Sequence, residues 1–533
     1  MDAAARLLAS DAAARLARRD PALWAADAAG AARVRERLGW TRLATDAARL
    51  LPELAALVDH ARGLDVSDVV LLGMGGSSLA PLVLSRVLGT APGAARLTVL
   101  DTTSPRSVRD ALDRLDPRRA LVIVSSKSGT TIEPLSLYAI LRAWADEALG
   151  RREAGGRFVA ITDPGSPLVS LARDEGFAMS LPAPPDVGGR FSALTVFGLA
   201  PAALIGADLP ALLSRAEAME KACAASGGPA AELAAFIGDA LASGRDKLTI
   251  ACSAEFAAFG LWAEQLLAES TGKGGAGVVP ILAGPRGTPA GVASDAAAVL
   301  VRSTRDTAIT AWTAALPPGT PVLDLALDSP LDLAAEFVRW EYATALVGHL
   351  MGIDPFDQPD VARAKSATEA ILAGTLVAPA TAAGDPASAL RPVLAAVRPG
   401  DYLAVLAYLP DDDHLLAPLR DSLSAAGASL GVATCLEVGP RYLHSTGQLH
   451  KGGPDEGVFI VLTTRDATDV PVPGRGWGLR ALFGAQADGD LATLASLGRR
   501  VARFDLQDAD AENVAGFSRA LTEAARTIRP SRS

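Results

Sequence analysis

The sequence predicts an α/β fold built on doubly wound parallel sheets, and three observations carry that prediction. Short apolar runs such as Val69-Val70-Leu71-Leu72 and Leu121-Val122-Ile123-Val124 have the look of fully buried strands. Each is followed by apolar residues at helical spacing, so strands and helices alternate along the chain. The turns between them are rich in glycine and hydroxyl residues and follow strand carboxyl ends, where such sheets bind ligands. A chain of 533 residues exceeds one compact core. The expected division is a helical segment over 1–60, α/β domains over 61–210 and 211–372, and an extra α/β segment over 373–533.

Residues 1–60 read as Ala/Leu/Arg-rich helices with an apolar face at Leu50, Leu54, Leu57 and Val58. The strand at 69–72 runs into Gly73-Met74-Gly75-Gly76-Ser77-Ser78, whose glycines let backbone approach a ligand closely. Strands at 97–100, 121–124 and 158–161 follow. After the strand at 121–124 comes Ser125-Ser126-Lys127-Ser128-Gly129-Thr130-Thr131-Ile132-Glu133, and Leu135, Tyr138, Leu141 and Trp144 then mark a helix. Thr130 and Glu133 are spaced for a capping box. Hydroxyls crowded at a helix N-terminus, with free N–H groups and the positive dipole end, suit a phosphate monoester. Ordinary Ser/Thr capping accounts for one or two of them. Asp186-Val187-Gly188-Gly189-Arg190 lies in a proline-flanked loop, from which Arg190 can reach a ligand with its planar fork.

The second unit has expected strands at 248–251, 278–282, 299–301 and 322–325 and a helix over 331–351. Another helix carries Gln265 and Glu269 on one face and stops at Gly272. A carboxylate at the negative dipole end should have a raised pKa, as a general base needs, although a solvated helix-end glutamate is the plainer reading. His349, among apolar residues, reads as a core histidine. Residues 373–400 look like a linker or surface excursion, and strands are expected at 403–406, 431–434 and 458–462. His444 and His450 stand in a polar, glycine-rich loop between the last two.

Half of the residues are apolar and mean hydropathy is +0.25, enough for a large core. Net charge of -10 argues against nucleic-acid or acidic-membrane partners. Three distant cysteines form neither a disulfide framework nor a zinc motif and suit a reducing, cytoplasmic setting. No apolar run approaches the roughly 20 residues of a membrane span. The five histidines lack metal-ligand spacing, so no metal is expected.

Taken together, GMGGSS at 73–78, SKSGTT at 126–131, GGR at 188–190, QLLAESTGK at 265–273 and FDQPDVARAK at 356–365 resemble the glucose-6-phosphate (phosphoglucose) isomerase family, in family order. SKSGTT alone marks sugar-isomerase (SIS-type) domains generally, including non-catalytic sensors. The resemblance implies two such domains with the site between them. It implies reversible conversion of glucose 6-phosphate to fructose 6-phosphate, in glycolysis and gluconeogenesis, with no cofactor. Carried onto this chain, Ser77, Ser126, Ser128 and Thr131, with the Gly76 and Lys127 backbones, would hold the phosphate. Glu269 would be the base, Arg190 the enediolate stabiliser, and Gln265 and Gln358 substrate contacts. Lys365 would aid ring opening. The family's ring-opening histidine normally precedes FDQP, where only His349 occurs; HSTGQLHKGG instead places His444 after it. That layout resembles the isomerase portion of transaldolase–phosphoglucose isomerase fusions, and a stand-alone isomerase is expected because a transaldolase barrel would need roughly 250 more residues. The family is usually a homodimer whose histidine crosses between subunits; a C-terminal segment could supply it within one chain. His450 is the rival of His444.

Two other classes compete. A sugar-phosphate sensor would keep SKSGTT without needing Glu269, Arg190 and Lys365 together. A nucleotide-dependent dehydrogenase would use GMGG and Asp101 at the end of the next strand, but Ser78 replaces the third glycine of GxGxxG.

Overall fold

The computed structural model describes residues 2–283, 293–377, 380–381 and 385–528. It contains three parallel sheets. The first comprises β1 (Asp68–Leu72), β2 (Arg96–Leu100), β3 (Ala120–Ser125), β4 (Phe158–Thr162) and β5 (Met179–Pro182), in the order β2-β1-β3-β4-β5. The second comprises β6 (Lys247–Cys252), β7 (Val279–Ala283), β8 (Ala296–Ser303) and β9 (Val322–Leu327), in the order β7-β6-β8-β9. The third comprises β10 (Tyr402–Ala407), β11 (Ala433–Val438), β12 (Gly457–Thr464) and β13 (Arg500–Leu506), in the order β11-β10-β12-β13.

β1, β3, β4, β6 and β10 are buried along their whole length, as strands covered by helices on both faces must be. One apolar core joins the N-terminal helices to the first two sheets, through Leu16, Leu57, Val69, Phe197, Trp262 and Trp340 among others. Another fills one face of the third sheet around Leu403, Ile460 and Phe517. Pairing of Leu72 with Val124 sets the ends of β1 and β3 side by side, so residues 73–78 and 126–131 leave the same sheet edge together.

Several expectations shift. β5 and β13 were not foreseen. β5 is a four-residue edge strand, and the apolar run of β13 is broken by Arg500, Arg503 and Asp505. The strand expected at 431–434 begins at Ala433, because Gly431 (φ +73°) ends the helix Asp413–Leu430 in the left-handed conformation that glycine tolerates. The expected linker holds a helix, Pro386–Ala395. Asp385 caps it by accepting from the Ser388 N–H (3.0 Å), and Leu390 and Leu394 bury it in the third core.

Candidate functional site

The turn after β3 is a closed set of hydroxyl contacts. Ser126 Oγ lies 3.0 Å from Thr131 Oγ1 and accepts from the Gly129 N–H (3.2 Å). Ser128 Oγ lies 3.0 Å from Thr130 Oγ1. Gly129 takes φ +67°, and a Cβ there would meet the Leu168 nitrogen at 2.8 Å. Lys127 turns its ammonium away to Asp163 (2.7 Å), leaving its backbone in the turn. The helix Ile132–Leu149 starts here with Thr131 at its N-cap. The expected capping box does not form. Neither Thr130 nor Thr131 caps through its side chain, and the Glu133 carboxylate is buried and otherwise engaged.

The turn after β1 completes the cradle. Gly75, Gly76 and Ser77 form one helical turn, and the Ser77 carbonyl accepts from Ser125 Oγ (3.1 Å), tying the two turns together. A Cβ on Gly76 would sit 2.0 Å from the Gly189 carbonyl, and one on Gly75 2.7 Å from the His444 carbonyl and 2.8 Å from Gln265 Nε2. Both glycines therefore let the cradle touch the Arg190 loop, the Glu269 helix and the His444 loop at once.

Glu269 occupies the last turn of the helix Phe259–Thr271. Its Oε2 accepts from Gln265 Nε2 (3.3 Å) and Gln358 Nε2 (3.2 Å), and Arg190 Nη1 stands 3.6 Å away. Burial pushes its pKa up to about 7, against the lowering effects of Arg190, His444, Gln265 and Lys273. Dehydration is therefore the leading cause, where the sequence suggested the helix dipole. The Gln265 side-chain oxygen, Oε1, is buried without a partner among the described residues, an open acceptor beside this carboxylate. Arg190 is itself buried. Nε donates to Ser270 Oγ (2.7 Å), and Nη2 donates to the Pro355 and Asp357 carbonyls. These bonds fix the guanidinium with Nη1 toward Glu269. Lys273, which the sequence reading passed over although it closes the ESTGK stretch, donates to the Asp354 and Asp357 carbonyls (both 2.8 Å) and so anchors the loop bearing Gln358.

The 441–453 segment reaches this site from the third sheet of the same chain. The His444 carbonyl accepts from Gln265 Nε2 (2.8 Å), and its ring Nε2 lies 2.8 Å from Glu133 Oε1. Glu133 also accepts from Gln486 Nε2 (2.8 Å). Burial pushes Glu133 up, but the His444 charge and hydrogen bond, with Lys365 adding, hold it below the usual carboxylate range. Glu133 was read from sequence as a capping residue; nothing local distinguishes that role from a histidine partner 311 positions away. Lys365 is exposed on the helix Val361–Leu372, near enough for Glu133 to feel its charge.

The remaining histidines fall elsewhere. His450 is buried against Tyr402, whose hydroxyl lies 3.0 Å from Nδ1, and burial drives its pKa well below the ordinary value. His349 is half-buried and fastens the N-terminal segment, with Nδ1 2.9 Å from the Leu23 carbonyl and Nε2 3.2 Å from Ser10 Oγ. Asp101 accepts two hydrogen bonds from Arg441 (2.7 and 2.9 Å) and is nearly inaccessible, so it offers no carboxylate to a ribose.

Comparisons with known proteins point to one family. Residues 58–276 match the family model for phosphoglucose isomerase. A glucose-6-phosphate isomerase of Symbiobacterium thermophilum is 31% identical over 377 residues, 61% of this chain and 83% of that protein. One from Rubrobacter xylanophilus is 33% identical over 238 residues, 42% of this chain, and that match spans about half (54%) of the relative. A crystal structure of a Thermus thermophilus protein described as hypothetical superposes with a TM-score of 0.58 at 26% identity, covering 70% of this chain and 97% of that one. The relative covered over 83% of its length at 31% identity and the matching family model agree, and the chain belongs to the phosphoglucose isomerase family.

Proposed function

We propose that the chain is a glucose-6-phosphate isomerase acting through the residues assembled above. The observation that carries this reading is Glu269: a buried carboxylate with a pKa of about 7, one oxygen fixed by two amides, and a guanidinium 3.6 Å away. Such a group is half ionised near neutrality, and it can accept a proton from carbon beside a carbonyl and return it. Ser77, Ser126, Ser128 and Thr131, with backbone N–H groups of Gly76 and Lys127, would hold the phosphate at the joined carboxyl edges of β1 and β3.

In this reading the cyclic sugar opens first, with a proton moved from the O1 hydroxyl to O5 by His444 and Lys365 assisting. Glu269 then takes the proton from C2 and delivers it to C1, a second proton passes from O2 to O1, and Arg190 offsets the negative charge on the enediolate oxygens in a water-poor setting. Gln265 and Gln358 aim the carboxylate and contact substrate. All these groups lie in one chain, so a homodimer, which the family favours, would not be needed to bring the histidine in. The buried, free Cys223, Cys252 and Cys435 suit a cytoplasmic location. Among the described residues no helix is long and apolar enough to cross a membrane.

A sensor would need the cradle alone and would gain nothing from a dehydrated carboxylate facing an arginine. A coupled isomerase assay should show turnover, and Glu269→Gln should cut it at least ~100-fold. That variant should still bind 5-phosphoarabinonate yet fail to exchange the substrate C2 hydrogen with deuterated water. Near-normal exchange would remove Glu269 from the mechanism, and absence of any turnover in the unmodified chain would favour the sensor.

A further inference from the structure

All three sheets share one strand order, so each has a switch point between the carboxyl ends of its first and third strands. In the first sheet that point holds the hydroxyl cradle. In the second the chain's own groups close it. The Ser303 N–H donates to Ser253 Oγ (3.0 Å), and the Asp306 carboxylate accepts from Ser253 and from the Ala308 N–H (2.8 Å). In the third sheet the corresponding place is open. A cavity of about 130 Å³ lies there, bounded by Tyr408 just past β10 and by Thr463 and Thr464 at the end of β12.

That volume accommodates ~4 water molecules, the scale of a phosphate group with a short carbon chain. Its chemistry suits such a ligand. Phe483 and Tyr408 make an apolar wall, Thr464 and Thr468 bring hydroxyls, and charge comes from Arg480 and from Arg106, whose Nη1 donates to the Ala509 carbonyl (2.6 Å). Arg503 also lines the cavity but is already held by Asp505 (2.8 Å) and Asp488. The opposing charge is Asp466, whose carboxyl is kept below its usual range by the Thr468 N–H, with Arg106 and Arg480 contributing. We propose that this crevice is a second binding site, taking free phosphate or a short phosphate monoester between Arg106 and Arg480. Arg106 follows the first sheet's β2 and Arg480 follows the third sheet's β12, so the anion would bridge the two parts of the chain whose contact places His444.

Calorimetric titration of the full chain with inorganic phosphate and, separately, with glycerol 3-phosphate tests this. The wild type should show a site beyond the cradle. Arg480→Glu, an exposed position, should weaken it at least ~10-fold through loss of a charge-assisted contact. Ser126→Ala with Thr131→Ala should leave it unchanged while weakening the cradle, so failure here is separable from failure of the isomerase reading. Tighter binding of the ester would assign the site to phosphorylated metabolites, and tighter binding of the ion to free phosphate. If neither probe binds outside the cradle, or if Arg480→Glu and Arg106→Ala leave the second affinity intact, the site does not exist.

Discussion

At the scale of single residues, the buried carboxylates set the pH behaviour. Because burial lifts Glu269 from an ordinary 4.5 to about 7, the ionised form is the one folding disfavours. Its contribution to stability is therefore fully present below pH 4.5 and lost as pH rises through about 7. Activity runs the other way, since only the ionised group accepts a proton: kcat/KM should fall tenfold per pH unit below about 7, measured on the open-chain substrate to exclude the ring-opening step. Glu133 is expected to act through His444, as a positioning residue. Glu133→Gln should cut turnover of the cyclic substrate at least ~10-fold, because the histidine loses the carboxylate 2.8 Å from Nε2 that orients its ring. Proton exchange on an analogue lacking the C5 hydroxyl should be spared in Glu133→Gln and in His444→Gln alike. Equal losses on both substrates would make the pair structural.

At the scale of elements, close contact between turns does what no single side chain does. Gly76→Ala would place a methyl 2.0 Å from the Gly189 carbonyl, a clash between two backbones with no flexible side chain to yield. The cost is expected to be about 1–3 kcal/mol in denaturant unfolding, with at least a ~10-fold drop in kcat/KM as Arg190 and the cradle separate. These contacts also mark where sequence stops being legible. Val69–Leu72 and Leu121–Val124 declared their strands because both faces are covered, and glycines beside hydroxyls declared the cradle. β13 did not, because an edge strand with Arg500 and Arg503 on it has no uninterrupted apolar run. The motif residues Arg190, Gln265, Glu269 and Gln358, far apart in the chain, stand in contact around the Glu269 carboxylate. The link from Glu133 to His444 spans 311 positions and leaves no periodicity or spacing to read.

For the whole molecule, the seam between the first and third sheets combines an apolar cluster, which Val470, Val472, Leu479 and Leu482 share with Leu100, Val108 and Leu137, with polar ties. Arg441 joins Asp101 (2.7 Å) to Asp411 (2.8 Å), and Asp101 is all but excluded from water. Arg441→Met should cost about 3–5 kcal/mol in urea unfolding, because it strands a buried carboxylate, and Asp101→Asn in addition should restore much of that loss. Gln448 donates to the Gly272 carbonyl (2.9 Å) and to Asp360 (2.9 Å), while Gly272 leaves no room for a Cβ against Leu449 Cα at 2.5 Å. The loop with His444 is thus seated against the end of the Glu269 helix and the FDQPD turn. This arrangement has a consequence for biosynthesis. The carboxylate at 269 and the guanidinium at 190 are made well before the last sheet, whereas the imidazole at 444 comes after them. If Glu269 is the base and His444 the ring opener, as proposed, a nascent chain halted before residue 444 lacks the ring-opening group, so the order of synthesis is also the order in which the two halves of the proposed chemistry are supplied.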